Sequence, residues 1–167
     1  MSGAVALAGA AIMESDLIPD QPYFHLDCWA LVVLIGLVLN YGCLAYWFLF
    51  SRDVRRDPIM LKPALDALPA LGVGAVLTLA LALTLHFDLL FGVWMCLYGL
   101  AQVAYRQSLP RGIYLVGLAY MICGSYCLLD PSISFIHPWP MGIVFFIGEV
   151  AGGLVLLTYK TTGETND

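Results

Sequence analysis

Glu149 is the residue that asks most of its surroundings. It stands in Phe145-Phe146-Ile147-Gly148-Glu149-Val150-Ala151-Gly152-Gly153, a run with no other polar side chain. At the centre of a bilayer a carboxylate costs roughly 2.5–3.5 kcal/mol even on the mild insertion scale. Such a group is either protonated or paired. Gly148 and Gly152 form a small-xxx-small motif beside it, with Gly142 and Gly153 close by, so that another helix can approach. Asn40, flanked at helical spacing by Gly36 and Cys43, is a candidate partner. Tyr98, Gln102 and Tyr120 are further candidates. Gly92, Cys96, Gly99 and Gln102 recur at helical spacing and predict a buried small-and-polar seam. Three chemistries suit Glu149: an interhelical hydrogen bond and nothing more, a polar handle in a ligand cavity, or a proton relay. Intramembrane ionisable groups lean functional by default.

A second set of reactive side chains is expected at one end of the molecule. His25, His86 and His137 each have a carboxylate in the same connecting segment, respectively Asp27, Asp88 and Asp130. Brought together, imidazoles and carboxylates bind zinc or copper, or titrate near neutral pH. No HxxxH or HxxE spacing supports this within one helix, and capping of helix ends explains the same residues. The five cysteines form no CxxC pair and no zinc-type spacing. Cys28 and Cys127 fall near one plane on the outer side, where a disulfide can form. A thiol-based quinone oxidoreductase needs a vicinal pair that is missing, and haem b needs histidines deep in two spans. The sequence names no cofactor.

These residues belong to a chain whose solvent is lipid. It has 167 residues, 61% apolar and 11% charged, with a mean hydropathy of +0.87. Soluble domains run about 45–50% apolar and about 25% charged. The net charge of −5 excludes the basic footprint that nucleic acid requires.

A spanning helix needs roughly 20 apolar residues. The sequence predicts spans at about 28–50, 68–86, 88–105, 112–129 and 141–159. Residues 68–105 as one helix would measure about 57 Å, nearly twice the hydrocarbon thickness. The chain must fold back at His86-Phe87-Asp88, with Asp88 as N-cap of the returning helix. Residues 1–26 contain no Lys or Arg and are read as an extracytoplasmic tail, loosely ordered over Met1–Asp16; residues 161–167 form a polar cytoplasmic tail.

Basic residues set the orientation. Arg52, Arg55, Arg56 and Lys62 fall in the first connection, Arg106 and Arg111 in the third, and Lys160 closes the last span. The alternate segments hold none. Cytoplasmic loops retain Lys and Arg, so the expected fold is all-α: a polytopic membrane bundle of five transmembrane helices, N-terminus outside and C-terminus cytoplasmic. Tyr23, Trp29, Phe87 and Trp139 are expected in the outer aromatic belt, and Tyr46, Trp47, Tyr105, Tyr114 and Tyr159 in the inner one.

In five-span architecture alone the chain resembles the tryptophan-rich sensory/translocator group; it has just four tryptophans, Trp29, Trp47, Trp94 and Trp139, and lacks the Trp- and Arg-rich spans of that group. That likeness transfers no residue and no ligand. No complete catalytic set is present. The expectation is a bacterial inner-membrane protein, either an accessory subunit of a membrane complex or a binder of a small lipophilic ligand. Lipids, and other membrane subunits or a second copy, are the expected partners. The alternatives are an outer-face metal protein or enzyme using the three histidines, and a proton-coupled carrier using Glu149.

Overall fold

The computed structural model describes residues 2–15, 18–50, 68–104 and 110–164, apart from the side chains of Leu44, Trp47, Phe48 and 160–164. The described residues form six α-helices: α1 Ser2–Met13, α2 Pro22–Phe50, α3 Leu68–Leu83, α4 Leu90–Ala104, α5 Arg111–Leu129 and α6 Trp139–Glu164. A 3-10 turn, Phe87–Leu89, leads into α4. No strand occurs among the described residues. Arg52, Arg55, Arg56, Lys62, Tyr105 and Arg106 lie outside the described residues, as do the side chains of Trp47 and Lys160. Among the described residues four stretches are long and apolar enough to cross a membrane: Pro22–Cys43, Phe87–Ala104, Arg111–Leu129 and Trp139–Tyr159. α3, at 16 residues, and α1, at 12, are apolar but shorter. At 1.5 Å per residue they measure about 24 Å and about 18 Å.

The tightest packing joins α4 to α5. A methyl group at Gly99 would lie 2.5 Å from the Gly117 carbonyl oxygen, and one at Gly124 would lie 2.8 Å from that of Gly92. Cys96 Sγ faces Gly124, and the Gln102 Cβ faces Gly117. The stripe expected from Gly92, Cys96, Gly99 and Gln102 is therefore a seam of near backbone-to-backbone contact, as membrane helices favour. The expected face Gly148–Gly152 likewise meets α5, Gly148 beneath the Tyr120 ring and Gly152 near Ile113.

The N-terminal segment departs from the expected loose tail. Ser2–Met13 is a helix wedged between α2 and α6, burying Gly3, Ala6, Ala10 and Met13. A methyl group at Gly142 would lie 2.6 Å from Ala10 Cβ, and Gly9 faces Val32. Its small residues let it approach closely enough to earn dispersion contacts along its length. α2 and α6 make at most glancing contact with each other, so α1 is what couples them.

Three helix ends also differ from expectation. α2 begins at Pro22, where proline suits the first helical position, so His25 and Asp27 lie on the helix rather than before it. The turn after α3 contains no glycine, and Leu85 adopts φ 60° instead. His86 N–H donates to the Leu81 carbonyl at 2.9 Å and Leu85 N–H to that of Ala82 at 3.2 Å. This is the paired closure that usually places glycine at the left-handed position. α6 continues to Glu164, so its helix enters the segment expected as a polar tail.

Asp88 does not cap α4. Its carboxylate accepts from Phe135 N–H at 2.8 Å and Ser134 Oγ at 3.2 Å, tying the turn before α4 to the loop before α6. Trp29 and Phe87, expected at the lipid interface, are buried in an aromatic core with Phe91, Trp94 and Phe135. Trp94 Nε1 donates to Thr78 Oγ1 at 2.7 Å and holds α3 to α4.

Candidate functional site

Glu149 lies at the middle of its spanning stretch, where α1, α4 and α6 converge. The Ser2 hydroxyl donates to Oε2 of Glu149. The Tyr98 hydroxyl donates to Oε1 at 2.5 Å. Each oxygen thus has one donor, one from α1 and one from α4. The first turn of α1 points its unsatisfied N–H groups and the positive end of its dipole toward this level. In hydrocarbon a helix end needs such acceptors within the protein. Gly3 allows the approach, since a methyl group there would be 2.8 Å from Glu149 Cβ.

Behind the carboxyl group lies an aromatic trio. The rings of Tyr98, Tyr120 and Phe145 sit 5.0–5.1 Å apart, in edge-on or tilted arrangements. Tyr120 is 1% exposed and donates to the Phe145 carbonyl at 3.3 Å. Gln102 hydrogen-bonds to Tyr98 through its amide, while its Oε1 has no protein partner. The arrangement is a polar chain from Gln102 through Tyr98 to Glu149 and on to Ser2.

Two recesses open on either side of the carboxyl group. One, of about 250 Å³, is lined by Ser2, Gly36, Leu39, Asn40, Cys43 and Glu149. The other, of about 240 Å³, is bounded by Gly3, Ala4, Phe146, Glu149, Val150, Gly153, Leu154 and Leu157. Asn40 therefore shares a cavity with Glu149 and lies across it, while Ser2 and Tyr98 take the hydrogen bonds. No family model matches this chain, and no curated protein and no solved structure resembles it significantly.

Ser2 is the site residue that pattern reading misses. The signal was available in Ser2-xxx-Ala6-xxx-Ala10, a small-xxx-small ladder of the kind that packs membrane helices. Its run is too short to span, which disguises it as a tail.

The histidines do not converge as a metal site would require. Among the described residues no group of three or more His, Cys, Asp or Glu side chains is arranged to hold a metal ion. His25 is fully buried, and neither ring nitrogen has a partner. His86 is exposed. His137 is 69% exposed and reaches Glu14 at 3.9 Å. Asp27 is exposed on α2, Asp88 serves Phe135, and Asp130 accepts from the Ser132 hydroxyl at 2.7 Å and its N–H at 3.0 Å. Those two donors hold the Asp130 carboxyl below its ordinary value. All five cysteines are free, Cys28 and Cys127 included.

Proposed function

We propose that this chain is a five-span protein of a bacterial inner membrane that binds a small lipophilic ligand beside Glu149. α3 serves as the second, short span, bringing the number to five. The N-terminal end of α2 faces outward and the C-terminal end of α6 faces the cytoplasm, in keeping with the one-sided placement of Lys and Arg along the sequence. The observation that carries the binding role is one carboxyl group lining two lateral recesses of about 240 and 250 Å³, with mostly apolar walls. Concave apolar sites with a few convergent polar groups are where small ligands bind.

A photoreactive diazirine derivative of benzyl alcohol, added to the protein in lipid nanodiscs, tests this. Labelling of the α6 segment 146–157 should saturate and be competed by excess benzyl alcohol. Labelling of α3, whose Val73, Val76, Leu79 and Leu83 are exposed, should rise without limit. If α6 behaves as α3 does, the site is an ordinary lipid-facing surface.

A second reading, as an accessory subunit, draws on α2. Its Leu31, Leu34, Val38, Leu49 and Phe50 are exposed along most of its length. Cross-linking from these positions in native membranes should then capture a partner subunit, and recovery of the chain alone would count against it.

A further inference from the structure

We infer that the recess between α1, α2 and α6 takes an uncharged lipophilic carboxamide, with Asn40 as the residue that selects it. This rests on the binding role proposed above and goes further by naming the head group of the ligand. Asn40 lies on α2 one turn beyond Gly36, where an added methyl group would stand 3.9 Å from Ser2 Cβ, close to the level at which Ser2 meets Glu149. Its side chain is exposed on the wall of the recess and makes no hydrogen bond among the described residues. A carboxamide carries two N–H donors and a carbonyl acceptor. Inside a bilayer no water answers them, and an unanswered polar group is costly. Its polar neighbours are engaged elsewhere, since the Ser2 hydroxyl donates to one Glu149 oxygen and Tyr98 to the other.

The wall fixes what the guest must offer. Acceptor lone pairs remain on Asn40 Oδ1, on Ser2 Oγ and on the Glu149 carboxyl group, the last whether or not it carries a proton. The Asn40 N–H groups are the strong donors left unengaged. A head group that both donates and accepts meets both needs, and a second carboxamide does so by pairing N–H to carbonyl in each direction. A ketone answers the donors and leaves the Asn40 carbonyl unmet. A charged head would bring its own cost into the bilayer. The recess measures about 250 Å³. An apolar cavity of about 150 Å³ accepts benzene, so there is room for one ring with its carboxamide, against Gly36 and Leu39.

The test sets benzamide against acetophenone, in which a methyl group replaces the NH2 and the carbonyl remains. At matched concentrations in the lipid phase of nanodiscs, both compete for labelling of the α2 segment 36–43 by the diazirine probe. Benzamide should compete at a concentration at least about fivefold lower, a difference of about 1 kcal/mol. Asn40→Leu should bring the two within about twofold of each other, and should fold normally because it removes no hydrogen bond within the described residues. Equal competition in the unaltered protein, or a benzamide preference that survives Asn40→Leu, overturns the carboxamide assignment and leaves the lipophilic site standing. Labelling of 36–43 that never saturates, beside saturable labelling of 146–157, confines the ligand to the other recess and also overturns it. Saturable labelling of neither segment removes the binding role as well. The comparison in the unaltered protein decides the matter even if Asn40→Leu does not fold.

Discussion

Replacing Gly99 by alanine should separate the two best-packed helices, and the size of the effect can be worked from the seam. The new methyl group would lie 2.5 Å from the Gly117 carbonyl oxygen and 3.0 Å from the Met121 amide nitrogen. Both are backbone atoms, so no side chain can swing aside. Restoring an ordinary contact parts α4 from α5 locally by about 0.9 Å, and a gap of 0.5–1 Å forfeits roughly a quarter to a half of each affected dispersion contact. Overpacking of this kind costs about 1–3 kcal/mol. Alanine also gains about 1 kcal/mol of helix propensity over glycine, which masks part of the loss. Gly153→Ala provides the correction, because a methyl group there meets nothing within 4 Å. The two variants should therefore differ by about 1–3 kcal/mol, Gly99→Ala the less stable, when unfolding is followed in mixed micelles of increasing dodecyl sulfate content. Equal stabilities would refute the close seam between α4 and α5.

Three further outcomes follow from particular contacts. Asp88→Ala leaves the N–H of the buried Phe135 without its acceptor and should cost about 1–3 kcal/mol in the same assay; Asp88→Asn, which keeps an acceptor oxygen, should recover part of this. Leu85→Gly relieves the left-handed backbone at an exposed position and should raise stability by up to about 1 kcal/mol, whereas Leu85→Val should lower it. Asp130 is held below its ordinary value by Ser132, so its contribution to the order of the 130–137 loop is present above the unfolded-chain value and lost as pH falls through the lower, folded value. Ser132→Ala should move the Asp130 titration upward, as read by carboxyl carbon chemical shifts, and an unmoved curve would remove Ser132 as the cause.

Much of the bundle is legible where the physics is local. α5 matches its expected span to within a residue because Pro110 and Asp130-Pro131 bound a single apolar run. The α4 seam is legible because Gly92, Cys96 and Gly99 repeat at the helical period and leave no bulky side chain on that face. What escapes is tertiary. α1 is stable as a packed helix because α6 supplies Gly142 and Glu149 opposite its small residues, and nothing within Ser2–Met13 announces that partner. Asp88 looks like a cap from its place in the chain, yet Phe135, 47 residues on, offers a better donor. Leu85 accepts a strained conformation that glycine would take freely, so the turn carries no sequence mark. At the candidate site, Glu149 and Tyr98 were legible as polar residues in apolar surroundings, and Ser2 was hidden with the rest of α1.

The Glu149 site depends on α1 lying beside α6 with its first residues at the depth of Glu149. Ala4 and Gly153 line one recess from these two helices. In a protein whose five native cysteines are replaced, the pair Ala4→Cys and Gly153→Cys should be joined within membranes by a short bifunctional thiosulfonate, and Ala4→Cys should resist a membrane-impermeant maleimide. Rapid maleimide labelling of Ala4→Cys from the outer side, with no cross-link to position 153, would place α1 in water and leave Glu149 without its site.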